Sequence, residues 1–121
     1  MRILVLLLCF VLTGCQPFEM TARDAIVTAG AFLRQAQANH LEECLAYTKF
    51  GVNLGKSDVL CPAITKAVSA HNIAVSALDA YCASPDYENG GPCVPNKELQ
   101  PKVEAALREL ESVLAELKRL L

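Results

Sequence analysis

The chain contains no tryptophan, only two histidines, and four phenylalanines with three tyrosines among its 121 residues. Lysine and arginine number eleven, and nowhere do five like charges run together. The basic face that a nucleic-acid-binding protein presents is therefore missing. No G-x-S-x-G, P-loop or dinucleotide fingerprint occurs. The serines Ser57, Ser69, Ser76, Ser84 and Ser112 have no neighbouring His–Asp arrangement recognisable in sequence. Glu42 and Glu43 are adjacent, so on a helix they diverge by about 100° and do not form a carboxylate pair. No C-x-x-C appears, and a four-thiolate zinc site in an oxidising compartment would compete with disulfide formation. The expectation is a non-enzymatic protein without cofactor or metal.

One long apolar run is present, Ile3 to Leu12, preceded by Met1-Arg2 and followed by Thr13-Gly14-Cys15. Positive start, apolar core and small residues form the secretory pattern. Ten residues make about 15 Å of helix against a hydrocarbon core of roughly 30 Å, too short for a membrane span. The tetrad Leu12-Thr13-Gly14-Cys15 resembles the lipobox of bacterial lipoproteins. That resemblance covers residues 1–16. It implies a signal peptide, 1–14, removed before Cys15, and lipid on the Cys15 thiol, with 15–20 as a short lipidated tether. Each buried CH₂ contributes about 0.8 kcal/mol, so two or three acyl chains anchor stably where one is marginal. Gln16 follows the cysteine rather than Asp, which in this class implies an outer-membrane address facing the periplasm where the host has two membranes. The competing reading, a plain signal peptide with Cys15 in a disulfide, leaves an odd number of thiols.

Removal of residues 1–14 from the 121 leaves 107, enough for one modest domain over 21–121. Arg2 leaves too, so ten Lys/Arg face thirteen Asp/Glu, a net charge of −3. Cys9 goes with the signal and Cys15 carries lipid, so Cys44, Cys61, Cys82 and Cys93 remain. An even set in an exported chain reads as two disulfides. If 61–82 is one helix, its ends lie about 30 Å apart, so Cys61 and Cys82 cannot meet. Pairing 44 with 82 and 61 with 93 would place the end of one helix beside the far end of the next, which a short loop forbids. Cys44–Cys61 with Cys82–Cys93 remains. Each bridge closes a loop of under twenty residues, for about 3 kcal/mol by the chain-entropy argument.

Three segments carry helical periodicity. Thr21 reads as an N-cap with Asp24 three residues on, and Ile26, Ala29, Leu33, Ala36, Leu41, Cys44 and Leu45 then predict a first helix over about 22–48. Gly51, Asn53 and Gly55 mark a loop. The second helix starts near Ser57 or Asp58, or else at Pro62, with the stripe Ile64, Val68, His71, Val75, Leu78 and Cys82, and Pro85 ends it. Residues 83–96 form a turn-rich loop. The third helix starts at Asn96 or just before Pro101 and reaches Leu121 along Val103, Leu107, Leu110, Leu114, Leu117 and Leu121. The fold expected is all-α, a small up-down-up three-helix bundle stapled by two disulfides.

Two places invite a functional reading. In the 83–96 loop, Tyr87 stands between Asp86 and Glu88 as a candidate partner contact, although two acids fall far short of a calcium loop. His40 and His71 fall on or beside the apolar stripes, offset too unequally from the 44–61 bridge to share a metal. The reading for them is partial burial with hydrogen bonds, and a pH-sensitive packing role is the sharper alternative. The helix over 97–121 is expected to complete the core, or else to join a second copy. The function expected is a membrane-anchored helical module contacting another envelope or surface protein. A small-ligand carrier with a cavity between the helices including His40 or His71, and an inhibitor or exclusion factor, are the alternatives. A carrier predicts an apolar pocket of a few hundred Å³. A protein-binding module predicts an exposed apolar patch near the 83–96 loop.

Overall fold

The computed structural model describes residues 17–83 and 87–121, with the backbone alone at position 88. Cys15, Gln16, Pro85 and Asp86 lie outside the described residues. The described residues form four α-helices: α1 (Phe18–Asn39), α2 (Leu41–Phe50), α3 (Ser57–Cys82) and α4 (Gln100–Leu120). Two short 3-10 turns, Tyr87–Asn89 and Lys97–Leu99, lie between α3 and α4. No strand occurs among the described residues, and none of their helices is long and apolar enough to cross a membrane.

Helix α1 starts three residues before Thr21, which sits inside it without capping it. Pro17 is the N-cap, extended at φ −58° and ψ 142°, and its carbonyl accepts from the N–H groups of Met20 and Thr21. Tertiary contact accounts for the early start. The Phe18 ring packs edge-on against Tyr81 with centroids 5.3 Å apart, a favoured geometry for an aromatic pair.

The first helix is not continuous to 48. His40, at φ −118° and ψ 16°, separates α1 from α2. Along α1 the buried positions Ala22, Ile26, Ala29, Leu33 and Ala36 step by three or four. The next position in phase is His40, and Leu41 and Leu45 fall outside the face and are exposed. Helix α2 buries none of its residues and ends at Gly51, whose φ of 66° is left-handed, the usual helix stop.

Helix α3 takes the earlier of its expected starts, and Pro62 lies inside it. The Asp58 N–H donates to Asn53 Oδ1 at 3.2 Å, so a side chain from the loop serves the first turn. Ser57 is fully buried and donates to the Leu54 carbonyl at 2.8 Å. The buried face of α3 is centred elsewhere than the expected stripe. Ala67, Ala70 and Ala74 are buried with Ile64, Leu78, Tyr81 and Cys82, whereas Val68, His71 and Val75 are half-buried. The reason is that α3 is flanked by both α1 and α4. The middle of a face wedged between two helices has room only for small side chains.

Cys44–Cys61 and Cys82–Cys93 are both formed, with Cα separations of 5.5 and 4.5 Å. Phe18 meets Tyr81, the Ile26 carbonyl meets His71, and Cys44 meets Cys61. Numbers rise along one element as they fall along the other, so α1 and α2 run antiparallel to α3. Asn96 caps the 3-10 turn before α4 by accepting from the Glu98 N–H at 3.3 Å. Val103, Leu110, Val113 and Leu117 of α4 are buried, and Lys118 lies 5.2 Å over the Phe32 ring near the far end of α1. The result is the up-down-up all-α bundle with two staples.

Candidate functional site

The described part of the 83–96 loop is docked onto the bundle. Helix α3 ends at Cys82, and Ala83 turns left-handed at φ 42°. The last carbonyls of a helix have no partner within it. Here the returning segment supplies two: the Val94 N–H donates to Cys82 O at 2.9 Å and the Asn96 N–H to Tyr81 O at 2.7 Å. The Cys82–Cys93 bridge fixes the same crossing.

Tyr87, a candidate partner contact from the sequence, points inward and is 8% exposed. Its hydroxyl donates to Glu19 Oε1 at 2.9 Å and accepts from Arg23 Nε at 3.1 Å. Arg23 also pairs with Glu19 and lies 5.0 Å from the centroid of the Tyr87 ring. Burial pushes the Tyr87 hydroxyl above its ordinary value of 10.0, and the hydrogen bond to Tyr87, followed by the charges of Tyr87 and Glu19, holds the Arg23 guanidinium up as well. Tyr87 is thus a clasp between loop and α1. The physical reason is the polar pair one turn into α1, which satisfies a hydroxyl that burial would otherwise penalise. Asp86 and the side chain of Glu88 lie outside the described residues.

The histidines are well separated. His71 is half-buried, and its Nε2 is 3.0 Å from the Ile26 carbonyl. It packs on Gly30, where a Cβ would come within 2.9 Å of the same nitrogen. Glycine at 30 is thus what lets the imidazole cross to α1. His40 is half-buried at the α1–α2 break, with Nδ1 3.5 Å from a Glu43 carboxylate oxygen and without a hydrogen bond. Only His71 therefore shows the hydrogen bond expected of both. Among the described residues no three His, Cys, Asp or Glu side chains converge as a metal site would require.

The main concavity lies where α2 stands off. A groove of about 640 Å³ runs between α2, α3 and α4, walled by Leu41, Cys44, Tyr47, Ile64, Ala70 and Ile73 among others, with Lys66 and Glu109 on its rim. It includes neither histidine. A smaller hollow of about 400 Å³ takes in His71 and Gly30, and one of about 280 Å³ takes in His40, Phe32 and Leu121. The exposed apolar side chains also gather at this end: Leu41, Leu45, Phe50, Val52, Leu54 and Val59, with Phe50 77% exposed. Among the described residues near the 83–96 loop, only Met20 and Val94 are comparable. The apolar surface is therefore at the opposite end of the bundle from the one expected. The detectable signal was the step of five from Ala36 to Leu41, which carries the later leucines off the buried face.

Comparison with protein-family models, with curated proteins and with solved structures finds no match for this chain.

Proposed function

We propose that this is a lipoprotein of the bacterial cell envelope, lipidated at Cys15 and non-enzymatic, whose helical domain holds a segment of another envelope or surface protein in the α2–α3–α4 groove. The observation that carries this reading is that α2 buries none of its residues yet forms one wall of an apolar trough. A helix so placed contributes little to the core, and its cost in exposed apolar surface is offset when something covers it. An apolar trough between helices suits an amphipathic segment laid along it. The groove volume also falls in the range of small-molecule sites, about 300–1,000 Å³, which favours the carrier as a second reading.

A photo-crosslinking residue at Ile73, on the groove wall, tests this in intact cells. The expected outcome is an adduct with a distinct protein that disappears with Ser69→Trp, since Ser69 is exposed and lines the groove. Loss of adduct with an unchanged melting curve supports the reading. Absence of any protein adduct, with a small molecule retained in native mass spectra, gives the carrier instead. Radiolabelled palmitate that enters the protein but not Cys15→Ser checks the anchor.

A further inference from the structure

Helix α2 has an outer face of which only one flank borders the groove. At 100° per residue, Leu45 lies at its centre, with Leu41 and Thr48 on one flank and Glu42 and Lys49 on the other. All five are exposed, Leu41 by 55% and Leu45 by 44%. Glu42 and Lys49 have no ion-pair or hydrogen-bond partner among the described residues. Leu41 and Thr48 also border the groove, whereas Leu45, Glu42 and Lys49 do not.

This arrangement is complementary to itself. A two-fold axis through Leu45, perpendicular to the helix, sets two copies of α2 antiparallel. Glu42 lies three residues before the centre and Lys49 four after it, on the same flank. Glu42 of each copy then faces Lys49 of the other to within about 1.5 Å of rise, the step of one residue. Leu45 meets Leu45, and Leu41 meets Thr48. Parallel pairing, about a two-fold along the helices, would swap the flanks and set Glu42 and Lys49 against Leu41 and Thr48, which leaves both charges without an opposite partner. We propose that the outer face of α2 pairs antiparallel with α2 of a second copy of this chain.

The surface is a better candidate for self-association than the helix over 97–121, whose residues Val103, Leu110, Val113 and Leu117 are buried inside the bundle. It is also small. Ten residues of helix span about 15 Å, and their outer face falls short of the roughly 800 Å² per partner of a stable interface. The pairing is therefore weak in dilute solution and gains from effective concentration when copies share one surface. In that respect it rests on the lipid anchor proposed above.

The test uses the full chain in its own membrane, with a photo-crosslinking residue at Leu45. The expected product has twice the monomer mass, and its joined peptides both contain position 45 or its neighbours. Glu42→Lys alone and Lys49→Glu alone each lower its yield severalfold, and the double exchange E42K/K49E restores it. The double exchange is also the worst arrangement for the dipole of α2 itself, so recovery cannot come from a steadier helix. No doubled-mass product, indifference to the single reversals, or a double exchange weaker than either single overturns the proposal. An adduct at position 45 with a different protein overturns it too, yet leaves the groove reading standing, because that is read out separately at Ile73.

Discussion

The two ends of the bundle carry the same device, a disulfide closing a short loop, and use it differently. At the Tyr87 end, Cys82 is fully buried, the crossing segment caps the carbonyls of α3, and Tyr87 is wedged between loop and α1. At the α2 end, Cys61 is buried but Cys44 only half so, and the helix that Cys44 belongs to has no fully buried residue. One bridge reinforces packing that already exists. The other restrains an element that packing alone does not hold. A staple's contribution thus depends on what the native state does once it is cut. If the freed segment stays in place, only the unfolded chain gains freedom. If it detaches, both states gain, and much of the difference cancels.

The largest effect should come from setting the two staples against each other. Cys82→Ser/Cys93→Ser is expected to lower the unfolding free energy by about 3 kcal/mol. Cys44→Ser/Cys61→Ser should lower it by less than half of that, although the second loop is the longer. Urea titrations of both variants decide this, and equal losses would mean that α2 is packed as firmly as the loop. Next, Tyr87→Phe removes a hydroxyl shared by Glu19 and Arg23, a loss of about 1–2 kcal/mol. Its pH dependence has a definite sign. The folded state holds the Tyr87 proton above its ordinary value of 10.0, so the stability this adds is complete below that value and is lost as pH rises through the folded value. The alkaline decline should be shallower in Tyr87→Phe, and thermal melts from pH 8 to pH 11, measured for both proteins, provide the check.

A smaller effect concerns the middle of the molecule. Gly30→Ala is worth about 1 kcal/mol in helix propensity, but its Cβ displaces the His71 ring and its contact with Ile26. The gain should therefore appear in a His71→Ala background and be largely absent in the parent, as a double-mutant cycle would record. Smallest of all is Phe50→Ser, at an exposed position beyond the core, which should shift stability by no more than about 0.5 kcal/mol. A larger loss would show that the α2 end is held by more than its bridge.

Periodicity made three helical segments legible, and cysteine parity with helix length picked the disulfide pairing before any coordinates. The exact faces were harder to read. On α3 the valines suggested the stripe, but burial between two neighbours selects for size, so the alanines beside them line the core. The break at His40 has no proline or glycine to announce it. Only the phase slip from Ala36 to Leu41 gave it away, and a helix-wide reading averages over such a slip. Tyr87 was legible as special but not as internal, because its partners Glu19 and Arg23 lie more than sixty residues away. The groove follows from the stand-off of α2 and could not be read before that was known.

The buried alanines, Ala67, Ala70 and Ala74 of α3 and Ala22, Ala29 and Ala36 of α1, also restrict how this sequence can drift. Residues of that size have no methylenes to give up except to glycine, which costs about 1 kcal/mol in mid-helix. Any enlargement forces backbones apart, at about 1–3 kcal/mol. Leucine positions at the rim can trade with isoleucine or methionine, whereas these alanines have almost no neutral neighbours in sequence space. Divergent copies of this protein should therefore keep their alanines after their leucines have changed.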